Sequence, residues 1–116
     1  FLHRLKKAYY DYDNMFKSLQ IDVMLTPTLA HTTPIIGHLG ADLDFETMFK
    51  RMTNWACYTP YANASGGPAI SLPMGNDPST DLPIGMMFWA NHGEDTLLLE
   101  LAYQLEEAQP WKKITN

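Results

Sequence analysis

The sequence predicts an α/β chain of about three helices and three short strands, forming part of a larger layered sheet. Three observations predict it. The run Ile84-Gly-Met-Met-Phe-Trp-Ala90 is almost continuously apolar, as in a strand covered on both faces. Glu94 to Ala108 repeats its leucines at helical spacing. The remaining strand segments are too short and too few to give a doubly covered strand its layers, so further strands are expected from outside this chain.

Phe1 to Leu19 reads as an amphipathic helix, with Leu5, Ala8, Tyr9, Tyr12, Phe16 and Leu19 on one stripe. Lys6, Lys7, Asp13 and Lys17 fall on the other side. Asp22 to Thr26 reads as a short strand stopped by Pro27, because proline cannot donate to a ladder. Pro27 to Asp44 holds two prolines, two glycines and two histidines without a period. A connection this long either carries function or packs on protein that lies elsewhere.

Phe45 to Cys57 reads as a helix capped by Asp44, with Phe45, Met48, Phe49, Met52 and Trp55 or Ala56 on one face. Thr59 to Ala64 reads as a possible further short helix with Pro60 in its first turn. Gly66-Gly67-Pro68 is turn chemistry, since glycine relieves steric limits where a helix end meets a strand. Ala69 to Leu72 reads as a strand closed by Pro73 and Gly75, and Asn76 to Pro83 as a polar connection. The last helix carries Glu94 and Asp95 in its first turn, where the macrodipole favours anions. Leu97, Leu98, Leu101, Ala102 and Leu105 form its inner stripe, and Pro110 stops it.

Composition bounds the function. Of 116 residues, 46% are hydrophobic and 18% charged, which is ordinary globular usage. Net charge is −5, and the largest basic groups are Lys6-Lys7 and Lys112-Lys113. These are too small to track a phosphate backbone, so nucleic acid is not an expected partner. The apolar runs fall far short of the ~20 residues needed to span a bilayer, and no secretory leader is visible. A single cysteine, Cys57, fits a reducing compartment, so the expected location is the cytoplasm. Phe1 stands inside the first helical pattern with no cap before it, which reads as the cut end of a longer polypeptide or as a trimmed small protein.

Four blocks stand in a fixed order. They are Asp22-Val-Met-Leu-Thr-Pro-Thr28 with Pro34-Ile-Ile-Gly37; Thr59-Pro-Tyr-Ala-Asn-Ala-Ser-Gly66 running into Gly67-Pro-Ala-Ile-Ser-Leu-Pro73; Leu82-Pro-Ile-Gly85; and Gly93-Glu-Asp-Thr-Leu-Leu98 ending in Pro110-Trp111. Together, over Asp11 to Trp111, they resemble the C-terminal part of amidase-signature enzymes, including bacterial amidases acting on cyclic or linear oligoamides. The resemblance implies a large mixed sheet flanked by helices on both faces, with residues 1–116 as a C-terminal segment rather than a complete domain. It implies that the strands of the second and third blocks are neighbours.

The resemblance also implies hydrolysis of small-molecule amides by a Ser–cis-Ser–Lys triad in a Gly/Ser-rich stretch upstream, with no cofactor. No Ser-Ser pair occurs in this chain. None of Lys6, Lys7, Lys17, Lys50, Lys112 and Lys113 has a Gly/Ser-rich apolar setting that would lower its pKa. No catalytic residue is therefore assigned, and the segment alone is expected to be inactive. The alternative is a non-catalytic binding module built from the same segment.

Ser65 lacks the glycine two positions earlier that a nucleophile elbow requires and is followed closely by Pro68, so it reads as structural. His31 and His38 lack a third ligand at fixed spacing, so no metal site is assigned. Cys57 reads as a buried apolar thiol, and the aromatics and methionines from Phe45 to Tyr61 read mostly as core. The resemblance places part of this region near the acyl side of the site, which makes Trp55, Tyr58 and Asn63 the candidate substrate-binding residues. Exposed sheet edge and apolar surface make self-association of the isolated segment an expectation.

Overall fold

The computed structural model describes residues 2–111. Phe1 and the Lys112-Lys113 pair lie outside the described residues. The elements run α1 (Leu2–Leu19), β1 (Val23–Pro27), α2 (Phe45–Trp55), α3 (Thr59–Ser65), β2 (Ala69–Asn76), β3 (Pro83–Ala90) and α4 (Asp95–Ala108). Among the described residues there are four helices, because the further short segment at Thr59 does close a helix. Its chain enters through Pro60, whose fixed φ suits a first turn, and leaves through Gly66 at φ +73.

The strands form one sheet in the order β1-β3-β2, with both pairings antiparallel. Leu25 pairs with Phe88 on one side, and Ile70 pairs with Phe88 on the other. The strand β2 does not stop at Pro73. It continues to Asn76 through an irregularity between Pro73 and Gly75, because prolines are tolerated on an edge strand and at bulges. The connection to β3 is pinned by Asp77. Its Oδ1 accepts from Ser79 Oγ at 2.5 Å, Ser79 N at 2.7 Å and Thr80 N at 3.1 Å, and these bonds, the Ser79 hydroxyl's first, hold its carboxyl below the usual carboxylate range.

The central strand β3 is covered on both sides by alternation, as a period of two requires. Met87 and Trp89 pack with Tyr12 and Phe16 of α1, with Tyr58 and Ala62 alongside. Phe88 and Ala90 face the opposite layer with Leu72 and Leu98, backed by Leu97, Leu101, Ala102 and Leu105 of α4. Burying a leucine, methionine or phenylalanine side chain here contributes roughly 1.5–3 kcal/mol. Cover fails at the other end of the strand, where Pro83 and Ile84 are exposed.

The helix stripes are realised unequally. In α1, Tyr12 and Phe16 are buried, but Tyr9 is 45% and Leu19 62% exposed. Leu19 stands at the last turn, and the chain then reverses through Gln20 at φ 53. The Asp44 cap of α2 forms as expected, with Thr47 N donating to Asp44 Oδ1 at 2.9 Å. Yet α2 buries no residue, and Phe45 is 74% exposed. Residues 45–61 are thus not mostly core: Phe45, Phe49, Met52 and Tyr61 are exposed. Cys57 is also exposed, not buried, because the turn between α2 and α3 sends Tyr58 toward the core instead. Among the described residues, no helix is long and apolar enough to cross a membrane.

Candidate functional site

Two of the hollows among the described residues lie against the sheet. The first lies at the α3–β2 junction and has a volume of about 470 Å³. Thr59, Ala62, Asn63, Gly66, Gly67, Ala69 and Met87 line it. Asn63 is exposed on α3, so its amide is free to meet a ligand entering from solvent. Tyr58 is half-buried and packs on the Tyr12–Trp89 cluster behind this wall. Trp55 ends α2, where its carbonyl accepts from Ala30 N at 2.9 Å. Its indole Nε1 is buried without an acceptor among the described residues. Of the three sequence candidates, only Asn63 lines this hollow; Tyr58 packs on the cluster behind it, and Trp55 stands at the end of α2 against Ala30.

Ser65 closes α3. Its hydroxyl donates to Ala62 O at 3.3 Å and accepts from Gly67 N at 3.4 Å, which is end-of-helix bonding. The ring of His92 approaches it, but Nε2 contacts the Ser65 carbonyl at 2.9 Å rather than the hydroxyl. With a carbonyl as partner, that nitrogen is the donor and cannot act as a base. The ring of Tyr9 stacks on His92 at 3.9 Å, and Tyr12 meets its edge at 5.1 Å. This arrangement ties α1, α3 and the turn before α4 together. It does not make a nucleophile–base pair.

The described lysines are equally unsuited to the work of a base. Lys7 pairs with Asp11, Lys17 pairs with Asp13, which also accepts from Asn91 Nδ2 at 2.9 Å, and Lys6 and Lys50 are exposed. The rings of His31 and His38 are 6.5 Å apart, and no group of three or more His, Cys, Asp or Glu among the described residues is arranged to hold a metal.

The second hollow is a groove of about 560 Å³ where the 27–33 segment crosses the uncovered end of the sheet. Pro27, Leu29, Pro83, Ile84 and Met86 give it apolar walls. Its polar lining includes His31, Thr32, Thr33 and Asp77 and a pair of hydroxyls, Thr28 Oγ1 and Ser71 Oγ, that lie 2.6 Å apart. The backbone of Gly85 runs beneath them. A methyl group at Gly85 would stand 2.9 Å from Thr28 Oγ1 and 3.0 Å from Ser71 Oγ, so the absence of a side chain lets the pair form. Sequence reading missed this pair. Its members are 43 positions apart, and only the register of β2, β3 and the segment after β1 joins them.

A family profile described as Amidase matches residues 3–99. The chain belongs to the amidase family. This amidase chain is 50% identical over 93 residues to AmiC of Mycobacterium tuberculosis, covering 80% of itself and 19% of that protein. It is 40% identical over 96 residues to the 6-aminohexanoate-cyclic-dimer hydrolase of Paenarthrobacter ureafaciens, covering 78% of itself and 19% of that protein. In three dimensions it overlays a solved 6-aminohexanoate cyclic dimer hydrolase complexed with substrate at a TM-score of 0.80 and 34% identity. That overlay takes in 92% of this chain and 23% of the other. The amidase chain therefore spans about a fifth of the length of the relatives it matches.

Proposed function

We propose that this chain is the C-terminal portion of an amidase that hydrolyses carbon–nitrogen amide bonds in small molecules, and that the reacting groups lie upstream of it. The observation that carries the reading is the overlay on the substrate-bound cyclic dimer hydrolase over 92% of the chain. In this reading an upstream lysine deprotonates a bridging serine, which activates a second serine as nucleophile. That serine attacks the amide carbonyl, the amine leaves, and water releases the acid from the acyl-enzyme. The bonding of Ser65, His92 and the described lysines is consistent with a supporting role for this segment.

Its own contribution is a wall of the substrate site. Asn63 offers an amide to the substrate from the 470 Å³ hollow. The ring of Tyr58 backs that wall, and the unpartnered indole N–H of Trp55 supplies a donor near the 27–33 segment. The ligand is a small neutral amide, not a polyanion, in keeping with the net charge of −5.

The test compares two polypeptides. The protein at its natural length should release amine or ammonia from small linear and cyclic amides, and residues 1–116 alone should not. Turnover by the 116-residue chain would overturn the upstream assignment. A natural-length protein that binds amides but cleaves none would favour a non-catalytic binding module.

A further inference from the structure

We propose that the hydroxyls of Thr28 and Ser71 form a clasp across β3 that positions the 29–33 wall of the groove, and with it the imidazole of His31. The clasp belongs to the residues of this chain; its effect on substrate affinity rests on the amidase reading.

The clasp sits where the chain leaves the sheet. Thr28 N donates to Gly85 O at 2.9 Å, one ladder bond beyond the end of β1. Ser71 stands in β2, on the other side of β3, and pairs with Met87. The two hydroxyls meet at 2.6 Å over Gly85, so one side-chain bond joins both outer strands across the central one. The next tie to the body is Ala30 N, which donates to Trp55 O at 2.9 Å. From His31 to His38, whose carbonyl accepts from Arg51, the other hydrogen bonds among the described residues stay within the segment. The wall therefore hangs from the clasp and from one backbone bond to the end of α2.

That wall carries a group able to act on a bound molecule. His31 lines the groove together with Asp77. Its Nδ1 lies 2.9 Å from Thr32 O, so Nδ1 is the donor and the lone pair of the neutral ring is on Nε2. The position of the wall sets where that lone pair stands, and a displacement of about 1 Å is enough to spoil a placed contact.

Gly85 shows that the sequence keeps room for the clasp. Its backbone is not left-handed, so its conformation does not call for glycine. A methyl group there would stand 2.9 Å from Thr28 Oγ1 and 3.0 Å from Ser71 Oγ. Both oxygens end rotatable side chains, so an alanine would part the hydroxyls and leave the strands paired. An exposed neutral hydrogen bond adds little to the stability of a whole fold, so the clasp acts mainly on the wall it holds.

The test combines amide hydrogen exchange with steady-state kinetics on the protein at its natural length, using hexanamide as the substrate. Thr28→Val and Gly85→Ala should each speed exchange of the Thr28 and Ala30 amides by about fivefold, the scale of one lost hydrogen bond. Exchange over residues 87–90 should stay as in the wild type. Thr28→Ser keeps the hydroxyl and should restore the wild-type rates. Thr28→Val and Ser71→Ala together should do no more than either alone, because both remove the same bond. KM should rise about fivefold in Thr28→Val and Gly85→Ala with kcat unchanged, since the reacting groups lie elsewhere. Unchanged exchange at Thr28 and Ala30, faster exchange that spreads to residues 87–90, or Thr28→Ser behaving like Thr28→Val would each overturn the clasp. Faster exchange with an unchanged KM would overturn its positioning role. A wild type without amide turnover would sink the amidase reading, and exchange alone would then decide the clasp.

Discussion

The hydroxyl of Tyr12 donates to the carbonyl of Ala90 at 2.7 Å, joining two residues 78 positions apart. It fastens the middle of α1 to the last residue of the central strand, in the one place where both are completely buried. Ala90 N is also engaged, with Pro68 O at 3.2 Å, so the bond anchors α1 to the strand end that meets the α3–β2 junction. Tyr12→Phe keeps the ring but leaves that carbonyl short of a partner. The expected cost is about 1–3 kcal/mol, read from denaturant unfolding at neutral pH. The phenol has a pKa pushed up to about 12, first by burial and then by nearby Tyr61. A raised folded value means the contribution is full below pH ~10, where the unfolded phenol titrates, and fades as pH rises toward 12. The wild-type chain should lose stability across that window more steeply than Tyr12→Phe. Parallel curves for the two proteins would contradict the assignment.

Gly67 is held glycine by the same tyrosine. A methyl group there would overlap the Tyr12 ring, which is fully buried and has nowhere to move. Gly67→Ala should therefore destabilise by about 1–3 kcal/mol through overpacking. The same change at Gly75, where a methyl group meets nothing within 4 Å, should cost little by comparison. Thermal unfolding of the two variants side by side gives the contrast, and equal shifts would remove the Tyr12 explanation.

The cap of α2 gives an acid-side prediction. Hydrogen bonds from Thr47 to Asp44 hold its carboxyl below the ordinary range. A depressed folded value contributes stability that is present above the unfolded carboxylate value and is lost as pH falls through the folded one. Asp44→Asn retains a cap acceptor without the titration, whereas Asp44→Ala removes both. Helicity followed by circular dichroism from neutral pH down through the carboxylate range should fall for the wild type, stay flatter for Asp44→Asn, and start lower for Asp44→Ala. Identical acid profiles for wild type and Asp44→Asn would show that the cap is not the titrating element.

Much of this architecture was readable before the structure because its signals are local. The Asp44 cap, the Pro60 entry and the Leu98 stripe each depend on neighbours within a few positions. The β3 run was readable because a strand covered on both faces has no polar alternation to hide it. What failed to show was cover. Phe45, Phe49 and Cys57 have the composition of core, but burial depends on what lies opposite, and α2, though Arg51 and Trp55 bond it to the 30–38 segment, buries no residue. The extension of β2 past Pro73 was hidden because a proline reads as a stop, although an edge strand tolerates one.

The site was less legible than the fold for the same reason. Asn63 could be singled out because it stands in a recognisable block. The Thr28–Ser71 pair and the His92–Ser65 contact are products of tertiary register, with separations of 43 and 27 positions. No spacing rule along the chain announces them.

The uncovered face of α2 supplies the last prediction. Phe45 and Phe49 stack at 5.7 Å yet are 74% and 49% exposed, and Ile35 and Ile36 in the preceding segment are 83% and 104% exposed. In addition, β1 and β2 each present one edge without a partner among the described strands. Apolar surface and open edges of this kind drive association in water. The isolated 116-residue chain should self-associate with rising concentration, and the assembly should weaken when Phe45→Glu and Phe49→Lys are introduced together. Both substitutions sit on solvent-facing positions of the helix, so the monomer fold should survive them. Light scattering over a concentration series reads the outcome, and a wild-type chain that stays monomeric throughout would count against this account of the α2 face.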